Sequence, residues 1–569
     1  MSEVSSVSPS TETSIVAGPG GTALQASTQT DQSLGQSEDF EFLFTRDIEF
    51  RQETIYFIVV DRFHDGDPDN SEGPNPELHD PTQQDWWKYW GGDLQGVIDK
   101  LDYLKDMGIT AIWLTPLFEQ IEQLAFDQYA AVHGYWTKDF KRINPRYIGK
   151  DDNPSLFQTE ETVFDRLITE LHKRGMKFIL DIVCNHSSPD AGGFKGQLFD
   201  DGQLIADFNE DAEHWYHHYG GVIDWEDEWQ VQNCELAGLA TFNENNIAYR
   251  NYIKSAIKLW LDRGVDALRV DTVKHMPVWF WQEFNGDIQT HKPDVFIFGE
   301  WIYSSPDDER SVFYANHSGM TILDFGLCTA MRLALAKNAE GGFHLVQDVL
   351  NKDYRYNSAT ELVTFIDNHD MHRFQTLNPD PAVLRLAVVL LMTTRGIPCL
   401  YYGTEQYLYD NTDADDYVYG NNDPYNRPMM TRWDTDTPIY RDMRLLSGLR
   451  RLNPAISLGS QWQKYLTPDV YCYVRRYRDS RCFVALNKGT SNVILEEVDT
   501  ELPDREYTCV LSRRKLEVKN GKLHYLELGA QEAIALSHVG ERVKGQHIVR
   551  VQLNGLTTNP GETVVVIGD

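Results

Sequence analysis

No apolar run in this chain approaches the roughly 18 residues needed to cross a bilayer, so no membrane-spanning segment is expected. Basic charge is scarce: 52 Lys and Arg stand against 86 Asp and Glu, giving a formal net charge of −34. Such a surface repels phosphates, which argues against a nucleic-acid partner and leaves an uncharged polymer open. Basic residues are missing altogether from the N-terminal segment, where the first is Arg46. A secretory signal begins basic and continues apolar. Residues 1–45 do neither, so a cytoplasmic protein is expected, with secretion after removal of a signal as the alternative. Cysteine is sparse and odd in number, seven in all. Cys184, Cys234, Cys328, Cys399, Cys472, Cys482 and Cys509 show no metal-ligand spacing. They read as buried free thiols of a reducing compartment.

Aromatic residues, by contrast, reach 12% of the chain, with 14 Trp. Most must be core, but rings beside carboxylates also suit the apolar faces of sugars. Three segments place such carboxylates: "DALRVD" ending at Asp271, "FIFGE" ending at Glu300 and "TFIDNHD" ending at Asp370. Each is a β-branched and aromatic run bounded by polar or glycine-rich sequence, as a buried parallel strand with an acid at its C-terminal tip would read. Acids gathered at one rim repel each other and resist desolvation, so such a cluster marks chemistry rather than packing. Cleavage of a glycosidic bond is the chemistry that needs paired carboxylates.

Eight strand-like runs begin near residues 54, 109, 177, 265, 295, 320, 361 and 397. Helical sequence such as "VFDRLITELHKRG" follows most of them, which predicts an α/β fold, a (β/α)8 TIM barrel. The barrel is expected over 46–186 and 248–440, with an inserted subdomain after strand 3 at 187–247. After about 440 short alternating segments such as "VYCYVRRYR" predict a C-terminal antiparallel β-sandwich domain at 441–543. Residues 1–45, rich in Ser, Thr, Gly and Gln, read as a disordered tail. Residues 544–569 read as a linker and a fresh hairpin.

With strands and acids placed, the chain resembles the α-amylase family of glycoside hydrolases, nearest the cyclodextrin glucanotransferases and related α-amylases. Four blocks carry the likeness, in the family's order: "DIVCNH" (181–186), "GVDALRVDTVKH" (264–275), "GEW" (299–301) and "FIDNHD" (365–370). "YWGGDLQG" and "RGIPCLYYGTEQ" agree as well. The resemblance implies that Asp271 is the nucleophile, Glu300 the general acid/base and Asp370 the acid that grips the reacting sugar. Arg269, two residues before Asp271 and on the same strand face, would keep the nucleophile ionised. The likeness further implies that His133, Tyr135, His186, Lys274, His275, His369, Asp423 and Arg427 contact sugars.

Calcium is the implied cofactor. Asp65, Asp67, Asn70, Asp93 and the carbonyl of Gly91 match one oxygen-rich site. Asn185 and the carbonyl of His275 match a second, whose usual aspartate falls at Gly238; Asp224 is a nearby acid that could replace it. Cyclising relatives carry a large aromatic residue in mid-cleft where this chain has Cys234, and the sequence leaves no room for their immunoglobulin-like domain. The resemblance therefore implies a monomeric α-amylase cutting internal α-1,4 bonds of starch, glycogen or maltodextrins. A 4-α-glucanotransferase or cyclodextrin glucanotransferase-type transglycosylase is the alternative, and a non-catalytic glucan-binding protein the remote one. The hairpin at 544–569 resembles the start of a starch-binding module.

Overall fold

The structure is a computed structural model that describes residues 50–410, 412 and 423–540. The predicted tail (1–45) and the C-terminal hairpin (544–569) lie outside those residues, which belong to one compact unit.

Eight parallel strands form the centre: β1 (Ile55–Ile58), β2 (Ala111–Leu114), β3 (Lys177–Ile182), β4 (Ala267–Val270), β5 (Phe296–Gly299), β6 (Thr321–Ile322), β7 (Val363–Thr364) and β8 (Ile397–Tyr401). Neighbours in sequence are neighbours in the sheet, β8 returns to pair with β1, and a parallel bridge between Leu323 and Val363 joins β6 to β7. The predicted (β/α)8 barrel is therefore observed. All eight strands coincide with the predicted runs because strands buried on both faces read as unbroken apolar sequence. Rings fill the barrel interior: Phe57 stacks on Trp113 at 3.8 Å between centroids and Trp113 meets Phe298 edge-on at 5.6 Å.

The helix at Val163–Lys173 shows how the outer layer forms. Thr162 Oγ1 accepts from Asp165 N–H and Asp165 Oδ2 accepts from Thr162 N–H, a closed capping box. Phe164, Leu167, Ile168 and Leu171 then recur at helical spacing and are buried.

The long excursion between β3 and β4 carries strands Leu198–Asp200 and Gln203–Ala206. They join a four-stranded sheet with Phe118–Gln120 and Thr137–Ile143, which come from the loop after β2. Two loops thus build one wall above the barrel.

The C-terminal domain is antiparallel, as expected. Ser460–Leu466, Val470–Tyr477, Ser480–Asn487 and Ala533–His538 form one sheet, and Val493–Asp499 pairs with Lys522–Leu528 opposite it. Period-two alternation splits its central strand. Val470, Cys472 and Val474 pack with Leu495, Leu526 and Leu528 between the layers, whereas Tyr471 and Tyr473 join the barrel core. All seven cysteines are buried and unpaired. Among the described residues no helix is long and apolar enough to cross a membrane.

Candidate active site

The C-terminal tips of β3, β4 and β5 stand side by side, with Asp181 in register with Arg269 and Arg269 with Phe298. Asp271 and Glu300 follow β4 and β5 directly, and their backbones continue the ladder: Asp271 N–H donates to Ile182 O at 2.9 Å and Glu300 N–H to Val270 O at 2.7 Å. Thr272, next after the first acid, has φ +50°, a left-handed conformation that costs a β-branched residue energy and turns the chain away at once. Gly299 is equally constrained, since a Cβ there would lie 2.3 Å from Val273 Cγ2.

Arg269 is the hub. Its Nη1 donates to Asp271 Oδ1 and to Asp181 Oδ1, each at 2.8 Å, and its Nη2 lies 2.8 Å from Glu300 Oε2. Asp181 Oδ2 accepts from Trp113 Nε1 at 2.9 Å and from the Tyr135 hydroxyl at 2.8 Å. Nothing in the sequence reading singled out Asp181, although it opens the quoted "DIVCNH" block. Its signal is an acid on the inward face of an apolar strand.

Burial, the largest influence on each acid, drives protons on. Asp271 is pushed up to about 6, and Glu300 up to about 8 with the charges of Asp271 and Asp370 adding to the effect. Arg269 opposes both shifts, and its three carboxylate partners hold it protonated. Glu300 Oε1 is buried and finds no hydrogen-bond partner among the described residues. The carboxyl also lies close enough to Asp271 to share a hydrogen bond with it.

Asp370 lies beyond, with its side chain 37% exposed and Oδ1 at 3.4 Å from both His369 Nε2 and Arg427 Nη2. Arg427 Nη1 also pairs with Asp423 at 2.8 Å. Asn426 Nδ2 and Arg427 Nε both donate to His369 O, pinning the strand-7 loop in place. The Tyr135 ring stacks on His369 at 5.4 Å and on His133 at 5.6 Å, and the His133 Nδ1 accepts from Tyr135 N–H. Burial depresses the proton affinity of His133 and His369, and lowers His186 to about 3 and His275 to about 4. These imidazoles are neutral partners suited to hydroxyl groups. Lys274, lowered by burial and supported by Glu300, approaches the exposed Trp225 ring at 5.9 Å. His275 meets the same ring at 6.1 Å. Trp225 is a second residue that the sequence reading did not single out. All twelve predicted catalytic and sugar-contact residues are therefore among the described residues. Asp271, Glu300, Asp370, Arg269, Tyr135, His369, Asp423 and Arg427 fall into one linked network.

The predicted calcium ligands form two oxygen-rich places. Asp93 caps the helix Leu94–Asp99 and accepts from Gly96 N–H at 2.6 Å, Asp67 N–H at 2.8 Å and Asn70 Nδ2 at 3.1 Å. Asp65 Oδ1 and Asn70 Oδ1 are buried without hydrogen-bond partners, and a Cβ on Gly91 would lie 3.1 Å from Asp65 Oδ2. Two orphaned oxygens in a tight cradle fit a hard cation. At the other place Asn185 Oδ1 is likewise buried without a partner. Gly238 has open space where a side chain would be, while Asp224 is exposed and accepts from Glu226 N–H. Among the described residues no three His, Cys, Asp or Glu side chains converge as a metal cage.

A barrel with four buried carboxylate and guanidinium groups joined at its rim defines a class, and comparison with known proteins gives it a name. The description "Alpha amylase, catalytic domain" matches residues 57–437, and the chain belongs to that family. It is similar to the cyclomaltodextrin glucanotransferase of Bacillus sp. (strain 1-1), 36% identical over 83% of this chain and 64% of that protein. It is also similar to the alpha-amylase of Niallia circulans, 36% identical over 81% of this chain and 85% of that protein. The chain thus spans just under two thirds of the length of the first of these relatives. Among solved structures, CldA, described as the first cyclomaltodextrin glucanotransferase with a three-domain ABC distribution, superposes with a TM-score of 0.79 at 37% identity, covering 86% of this chain and 99% of that one.

Proposed function

We propose that this chain cleaves α-1,4-glucosidic bonds in starch, glycogen or maltodextrins with retention of configuration, and hands the glycosyl unit to a second glucan hydroxyl in preference to water. The observation that carries the reading is Arg269 shared between Asp271 and Glu300. Both acids lie 2.8 Å from Arg269, and burial with the charges of Asp271 and Asp370 keeps the proton on Glu300, leaving Asp271 the better anion. In the first step an Asp271 oxygen attacks the anomeric carbon, the glycosidic C–O bond breaks, and Glu300 gives its proton to the departing oxygen. In the second step an acceptor hydroxyl attacks the same carbon, its proton passes to Glu300, and the ester to Asp271 breaks. Asp370, backed by Arg427 and His369, binds hydroxyls of the reacting sugar over the Tyr135 ring.

Similarity to cyclomaltodextrin glucanotransferases supports transfer over the plain hydrolysis that the sequence favoured. The argument from a missing immunoglobulin-like domain loses its force, because CldA is described as a three-domain glucanotransferase. Hydrolysis remains a second reading on one observation. Cys234, small and buried, ends the helix Glu228–Asn233, and the resemblance matches it to the mid-cleft position where cyclising enzymes place a large ring. Calcium belongs to the proposal as a structural ion: Asp65, Asp67, Asn70 and Asp93 with the Gly91 carbonyl would hold one ion, and Asn185 with the His275 carbonyl a second. When bound it supplies rigidity to these loops.

Incubation with maltotriose alone tests the reading. Products longer than the substrate are expected, with the new bond in the α configuration by NMR. Only shorter products would favour hydrolysis, and an unchanged glucan in a folded preparation would end the proposal.

A further inference from the structure

The segment Tyr219–Trp229 exposes three rings at once, Tyr219 at 59%, Trp225 at 49% and Trp229 at 54%. Large rings normally go inside, and contiguous exposed ones mark a binding surface. This exposure is built, not frayed. Val222 N–H donates to Glu235 O at 3.2 Å and Glu235 N–H to Gly220 O at 2.7 Å, while Gln230 Oε1 accepts from both Ile223 and Asp224 N–H at 3.1 Å. Asp227 caps the helix Glu228–Asn233 that carries Trp229. The Tyr219 and Trp229 rings lie 5.0 Å apart at 60°, a corner with two open apolar faces.

The corner is tied to the reacting end of the cleft. His275 Nδ1, 2.8 Å from Val231 O, can only donate to it, two residues from Trp229. Gln232 Nε2 donates to the Tyr314 hydroxyl at 3.1 Å, and Tyr314 packs on Trp301, the residue after Glu300, at 4.8 Å. The helix therefore abuts the Lys274 and His275 side of the cleft, with Trp225 facing those two residues and Trp229 four positions further along the chain.

We propose that Trp229 and Tyr219 form an outlying subsite on this side of the cleft, holding an α-glucan chain that extends past Trp225. The inference rests on the function proposed above and adds a preference for long glucans. Chemistry selects the occupant. Asp224, Glu226, Asp227 and Glu228 surround the rings, so phosphates, acidic peptides and anionic lipids are repelled. A neutral polyol offers C–H faces to the rings and hydroxyls to the carboxylates. Continuity with the cleft favours the substrate's own chain over an unrelated partner.

The test compares the full chain with Trp229→Ala/Tyr219→Ala, leaving Trp225 in place, on maltotriose and on long-chain amylose. On amylose kcat/KM is expected to fall about tenfold, chiefly through KM. On maltotriose, too short to reach the corner, it is expected to stay within about twofold. Trp229→Phe, which keeps a flat ring, restores most of the loss. An unchanged ratio between the two substrates overturns the subsite while leaving the glucan activity standing. Unchanged kinetics with a change in sedimentation makes the corner a contact between copies and also overturns it. If the wild type processes neither glucan, both readings fall. Should the double variant not fold, Trp229→Gln alone gives the same comparison.

Discussion

Arg269 holds both acids, while burial and neighbouring charge settle that Glu300 keeps the proton. The guanidinium bonds Asp271 through one nitrogen and approaches Glu300 through the other, with Asp181 as a third carboxylate. Removal of the Glu300 proton donor by Glu300→Gln is expected to lower turnover on unactivated amylose by about 10³-fold, with circular dichroism unchanged. On the proposed mechanism the wild-type rate is expected to have a two-sided pH dependence. Asp271 must lose a proton, so activity rises as pH climbs through about 6. Glu300 must keep one, so activity falls as pH climbs through about 8. A kcat/KM profile between pH 4 and 10 checks both limbs, and loss of the upper limb in Glu300→Gln assigns it. Residue types at strand ends made these acids legible in sequence. Asp181 was not, because its importance comes from a neighbour 88 positions away in the chain that only strand pairing brings to 2.8 Å.

At the scale of elements, strands and the amphipathic outer helices were readable because each obeys one local period. The wall above the barrel was not. Its sheet joins Thr137–Ile143 to Leu198–Asp200 through a single pairing of Asp139 with Phe199, and no local pattern announces such a match. The exposed rings at Tyr219–Trp229 escaped notice for the same reason, since hydrogen bonds with Glu235 and the accepting Gln230 Oε1 set that loop's shape. The turn before the helix Leu94–Asp99 illustrates a third case, in which one carboxylate serves as both cap and anchor. Asp93→Asn would turn an amide N–H toward backbone donors and is expected to cost about 1–2 kcal/mol. If calcium is held beside it, a chelator lowers the melting temperature of the wild type but leaves Asp93→Asn unmoved. Scanning calorimetry with and without chelator reads both effects.

Over the whole molecule, barrel and C-terminal sheet share a core, and buried polar links fix the joint. Arg475, fully buried, donates to Thr393 O at 2.9 Å and to Gly459 O at 2.7 Å, and the Tyr473 hydroxyl meets Thr393 Oγ1 at 2.5 Å. Arg475→Met strands two carbonyls and is expected to destabilise the protein by about 2–4 kcal/mol. A lower urea midpoint with kcat/KM unchanged at 25 °C would show that the joint supports the barrel without entering the chemistry. Segment order and domain class were legible at this scale because strand rhythm changes abruptly near residue 440. The shared core was not, since only alternation along Val470–Tyr477 tells which rings face the barrel.

Two guanidiniums serve five acids in the cleft: Arg269 answers Asp181, Asp271 and Glu300, and Arg427 answers Asp370 and Asp423. Even with Glu300 protonated, anions outnumber cations there. A neutral glucose ring gains little from that imbalance, but a flattened ring carrying positive charge at its anomeric carbon gains a great deal. On the proposed function, the same surplus is expected to make the pocket a trap for sugar mimics with a protonated ring nitrogen, which would present permanently the charge that the substrate acquires only for an instant.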